Sequence, residues 1–168
     1  MNGLLIDAFE FSRLKERREG QLPIAALPRL AKEALSDAGI IAWAIAGDND
    51  HVGHPRLRLQ IAGAVRLTCQ RCLGPLDFDV SGEAVLILAK DEEQADQIDE
   101  LLADDEIDVI VGAKSMSIAE LVEDEALLAI PLSVRHDVCP DALPDSLDSL
   151  AADGKPSPFA ILKDLKRR

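Results

Sequence analysis

Three cysteines and one histidine are the residues of this chain with the clearest chemical potential. Cys69 and Cys72 stand in "CQRC", and His136 and Cys139 stand in "HDVC" with the same spacing. Two donors three positions apart on a turn can aim at one point, and structural zinc takes four such donors in a tetrahedron. Together they read C-x2-C…H-x2-C, a Cys3His set that uses every cysteine present. The 63 residues between Cys72 and His136 far exceed the span of a zinc finger, so the set would staple two distant parts of the chain around one structural zinc. Two other readings stand beside this one. The residues could be reduced thiols and a surface histidine, with Cys69 as ordinary apolar core. The C-x-x-C could also be a redox dithiol, although such motifs usually open a helix, where the thiolate is stabilised. Nothing in the sequence marks an oxyanion hole or an orienting acid for Cys69 and His136, so no catalytic residue is assigned.

The elements around the cysteines are readable. In RLRLQIAGAVRLTC, Leu57, Leu59, Ile61, Val65, Leu67 and Cys69 occupy odd positions, with Arg56, Arg58, Gln60, Arg66 and Thr68 on even ones. Period two predicts a half-buried strand, or two joined at Gly63. The alternation resumes after the cysteines as Leu76, Phe78 and Val80, which makes CQRCLGP a loop between antiparallel strands. Further strands are expected at 4–6, 40–46, 83–89 and 107–111, and helices over 12–18 and from about Leu27. The acidic stretch 91–106 reads as a solvated helix or a loop. Ser117-Ile-Ala-Glu120 fits a capping box for a helix running to about Ile130, where Pro131 ends it. At 100° per residue, Ile118, Val122, Glu125 and Ala129 share one face of that helix, while Glu120, Glu123 and Asp124 point away. A Glu125 carboxylate inside an apolar stripe would need a partner, for which Arg71 or His136 is the candidate; the plainer alternative is a stripe-edge Glu reaching water. The fold class is α+β: an antiparallel sheet, open or barrel-like, flanked by helices. Residues 1–135 form one domain with segment 1–39 packed on it. A Pro-rich acidic linker covers 136–157, and a basic helix over 158–168 is expected to dock through Phe159, Leu162 and Leu165.

Charge limits the partners. The net charge is −13, with residues 1–72 at +2 and residues 73–168 at −15. Such a field repels phosphate, so any RNA contact needs a local basic patch. Arg56, Arg58 and Arg66 on one strand face could supply it, joined by Lys163, Lys166, Arg167 and Arg168 at the end and by Arg13, Lys15, Arg17 and Arg18 near the start. No aromatic residues are interleaved with them to stack bases, so solvated surface charge is the rival reading. The acidic half suits solubility or a basic protein partner. No run is apolar and long enough for a membrane span, the start lacks a signal-peptide order and the cysteine count is odd. These features make a cytoplasmic location the expectation.

The blocks "VRLTCQRCLGPL" at 65–76, "LVEDEALLAIPLSVRH" at 121–136 and "PSPFAILKDLKRR" at 156–168 occur in an order that strongly resembles the YceD-like family, the large ribosomal RNA subunit accumulation proteins. The resemblance implies a non-enzymatic bacterial factor for synthesis, processing or stability of the large-subunit (23S) ribosomal RNA. Its gene would often lie beside one for a large-subunit ribosomal protein. The family's cysteine loop falls on Cys69 and Cys72, and its acidic helix on Glu123, Asp124 and Glu125. Some relatives carry more cysteines after that helix, where this chain has only His136 and Cys139, so metal binding stays open. The implied partners are ribosomal RNA, or a basic large-subunit ribosomal protein or assembly factor that the chain meets without touching RNA. A membrane or a small-molecule substrate is not implied.

Overall fold

The structure is a computed structural model that describes residues 4–102 and 107–139. The chain falls into two compact units, Met1–His136 and Asp137–Arg168, and of the second only 137–139 are described. The remainder of the 136–157 linker and the 158–168 helix lie outside the described residues.

The body is α+β. Its main sheet has five strands in chain order: β2 (Arg17–Pro23), β3 (Ile40–Asn49), β4 (Pro55–Thr68), β5 (Pro75–Ala89) and β6 (Ile107–Val111). The first four pair antiparallel, and β6 lies parallel to β5. The sheet is open rather than barrel-like, with β2 and β6 at its edges. A separate two-residue pair joins β1 (Leu5–Ile6) to β7 (Met116–Ser117).

Period-two patterning decides the faces. Leu57, Leu59, Ile61, Val65 and Leu67 of β4 are buried with Ile41 and Ile45 of β3, and helix α4 (Ile118–Ala129) covers them with Ile118, Val122 and Ala126. A smaller cluster forms where α3 (Glu92–Leu102) packs Ala95 and Ile98 against Ile87, Ala89 and Val109. Those strand residues alternate in register with Leu86, Leu88 and Ile110 of the main core, so α3 and α4 lie on opposite faces of the sheet.

One local expectation is corrected. Residues 12–18 are not one helix: α1 is Ala8–Arg13, capped by the Asp7 side chain, and Arg17 and Arg18 already belong to β2. Lys15 at φ 53° turns the chain between them, and pairing of Arg17 with Ala46 outweighs local helix propensity. Of the two readings of the stretch through Gly63, the single continuous strand is the one found. Its glycine is needed because a Cβ there would sit 2.6 Å from the Ile40 carbonyl on the neighbouring strand. The cap of α4 is present as its first half, with the Ser117 side chain accepting from the Glu120 N–H. No helix among the described residues is long and apolar enough to cross a membrane.

Candidate metal centre

The β4–β5 loop is a tight knuckle. The Cys69 N–H donates to the Gly74 carbonyl and the Leu73 N–H to the Cys69 carbonyl, both at 2.9 Å. Leu73 sits in the left-handed region at φ 61° to close the turn. The segment after α4 is tied to this knuckle: Gln70 N–H donates to the Val134 carbonyl at 2.8 Å and the Arg71 guanidinium to the His136 carbonyl at 2.9 Å. Sequence separation therefore does not prevent the two motifs from meeting.

They meet with their donor atoms converging. The ligand atoms of Cys69, Cys72, His136 and Cys139 all lie within 4.8 Å of one another, and Cys69 and Cys139 are buried. Cys72 Sγ and His136 Nδ1 are 3.4 Å apart, close to the roughly 3.6 Å that two ligands at zinc–sulfur and zinc–nitrogen bond lengths subtend in a tetrahedron. The imidazole tautomer is set by its other nitrogen. His136 Nε2 lies 3.0 Å from the Pro75 carbonyl, which can only accept, so Nε2 carries the proton and Nδ1 offers its lone pair toward the sulfurs. Backbone N–H groups of Arg71 and His136 both point at Cys69 Sγ from 3.5 Å. Burial alone would push the Cys69 thiol up, but N–H groups of Cys72, His136 and Arg71 and the Cys72 side chain bring it down to about 5. A sulfur that is wholly buried yet held as thiolate suits metal ligation and is poorly placed for nucleophilic attack. All three cysteines are free of disulfides, and this cluster could hold a metal ion.

The other candidate residues are placed as follows. Arg71 braces the cluster through the His136 carbonyl. Glu125 meets neither Arg71 nor His136; it lies over Gly82 and near Asp108, and burial, then the Asp108 charge, raise its pKa. The buried acid of α4 is Glu123, expected to point outward, whose side chain is 4% exposed and bound by Arg29. Helix α2 (Pro28–Glu33) explains it. Its N-cap is Leu27, which has no side-chain acceptor, so the first N–H groups must be satisfied from elsewhere. Leu27 followed by Pro28 was the available sequence signal for an incoming carboxylate. Arg56, Arg58 and Arg66 do share the outer face of β4, but each is already paired. Arg56 and Arg58 hold Asp48 at 2.6 and 2.7 Å, and Arg66 lies 3.6 Å from Asp77. The Arg56 hydrogen bond leads in keeping the Asp48 pKa low, against burial. Lys163, Lys166, Arg167 and Arg168 lie outside the described residues.

Fold and cluster together define a small α+β protein in which a Cys3His group joins a strand loop to the chain after a helix. Residues 57–166 match the family model described as Large ribosomal RNA subunit accumulation protein YceD. That span is well over half of the 168 residues, and the chain belongs to this family. No solved structure matches the chain.

Proposed function

We propose that this chain supports accumulation of large-subunit ribosomal RNA as a non-enzymatic, cytoplasmic binding factor whose cysteine loop is stapled by one structural zinc. The family description supplies the role, and the matched span includes β4 from Leu57 onward, β5, α4 and the whole ligand set. Zinc is the metal that three thiolates and one imidazole favour. Held this way, the metal would fix the β4–β5 loop and supply no reaction.

The observation that carries the mode of action is the pairing of the β4 arginines. Arg56, Arg58 and Arg66 each stand against Asp48 or Asp77, so this face has little positive charge free for phosphate. With a net charge of −13, displacement of counterions from RNA is a weak driving force. A basic large-subunit ribosomal protein or assembly factor is the better partner, and its own contacts would carry the effect to the RNA. The test is a pull-down of the tagged full chain with and without RNase, in parallel with the 23S-to-16S ratio in cells lacking the gene. Capture of a basic protein that survives RNase supports the reading. Steeply salt-dependent binding of a bare 23S fragment, with no RNase-resistant partner, contradicts it in favour of direct RNA contact.

A further inference from the structure

The two edges of the main sheet differ. β2 carries Arg17, Arg18 and Glu19 and ends in Pro23, the charges and proline that discourage further pairing. β6 is Ile-Asp-Val-Ile-Val, without a basic residue or a proline. Among the described residues no strand pairs with its far side, and no other backbone group of the described chain bonds to it. A cleft of about 640 Å³ runs along this edge, lined by α3 on one face of the sheet and by α4 on the other.

Both sides of the lining carry acids, and only the α4 side adds large apolar residues. Glu92, Asp96 and Asp99 of α3 stand on one side, and none of them is in an ion pair within the described chain. Leu121, Leu127 and Leu128 of α4 stand on the other, with Leu128 79% exposed. Asp108, in register with Leu86, and Asp124 and Glu125 of α4 add carboxylates on the α4 side, and among the described residues no Lys or Arg lines the cleft. In a strand added to an edge, successive side chains point to opposite faces, so one set would meet the α3 carboxylates and the other the α4 leucines.

We propose that β6 is a docking edge for an extended segment of a partner protein in which Lys or Arg alternates with apolar residues. Five residues of β6 set the length of the pairing. A second copy of this chain is disfavoured, because β6-to-β6 pairing would bring two acid-lined clefts together. RNA is disfavoured by the same charge. The site lies apart from the cysteine cluster and stands or falls independently of the zinc.

The test uses the full chain and a fluorescent ten-residue peptide alternating Lys/Arg with Val/Ile, against a peptide of equal composition with the two types in separate blocks. Expected are at least tenfold tighter binding of the alternating peptide, slowed amide exchange within 107–111, and about tenfold loss in Asp96→Lys/Asp99→Lys. The Glu33→Lys/Asp37→Lys variant, equal in charge change and outside the cleft lining, should change affinity less than twofold. Equal loss in both variants, or binding without added protection in β6, as for a helix laid on the surface, overturns the proposal. So does a dimer of the chain that the peptide cannot disperse. Peptide binding that occurs only after Lys163, Lys166, Arg167 and Arg168 are replaced by Glu would assign the cleft to this chain's own basic end, and also overturns it.

Discussion

Glu123 of α4 closes the open end of α2. Its Oε1 accepts the Arg29 N–H at 2.6 Å and the Leu30 N–H at 3.2 Å, while Oε2 takes the Arg29 guanidinium at 2.8 Å. One buried carboxylate thereby supplies the cap that Leu27 cannot, and fixes the N-terminal segment on the family-matched core. Glu123→Ala should destabilise the fold by about 2–4 kcal/mol, since it leaves buried donors without an acceptor. Asp124→Asn, which weakens only the exposed 2.6 Å pair with Arg29, should cost less than about 1 kcal/mol. Urea midpoints of the two variants compare them directly.

Two acids two positions apart on α4 should give opposite pH signatures. For Glu123, burial works to raise the pKa, but the Arg29 side chain and the Leu30 and Arg29 N–H groups prevail and hold it low. Between that low value and about 4.3 the unfolded chain binds more protons than the folded one, so the stability Glu123 provides is lost as pH falls through this window. Glu125 is raised by burial and then by Asp108, so its folded form binds more protons above about 4.3. The stability advantage of Glu125→Gln over the natural chain should therefore be largest at neutral pH and shrink on acidification. Denaturation series between pH 3.5 and 8 would show both trends; parallel curves for the two Gln variants would refute them.

Two glycines should respond differently to alanine. At Gly63 the new Cβ meets backbone, the Ile40 carbonyl at 2.6 Å, together with Ile41 Cδ1 at 2.6 Å. Gly63→Ala should cost about 1–3 kcal/mol, because a paired strand cannot move aside cheaply. At Gly82 the obstacle is the Glu125 carboxylate, the free end of a flexible side chain, whose Cδ stands 3.0 Å from where the alanine methyl would lie. Gly82→Ala should therefore cost less than about 1 kcal/mol, since that side chain can swing aside. Thermal unfolding of the pair ranks them.

Much of this architecture was legible because β4 and the first half of β5 alternate with a period of two, which assigns their faces and the loop between them. The meeting of CQRC with HDVC was legible as spacing and residue type. What escaped was what depends on pairing across the chain. Arg17 and Arg18 look helical in isolation but extend β2 because β3 offers an edge. The face of α4 was misjudged by one position because the buried arc widens to include Glu123, whose partner lies 94 positions away at Arg29. The arginines of β4 left two readings, a basic patch or solvated charge, since period two reveals a shared face but not the Asp48 and Asp77 that offset part of its charge.

Metal content is the most direct measurement of the central claim. The full chain, purified without chelator, should carry about one equivalent of zinc by elemental analysis, and its cysteines should resist alkylation until a strong chelator is added. Cys72→Ser and His136→Ala should each lower the bound zinc and lower the unfolding midpoint, with the sheet still folded by circular dichroism. A folded chain with less than about a tenth of an equivalent of any metal, three freely alkylated thiols and a midpoint indifferent to both chelator and added zinc would contradict the staple.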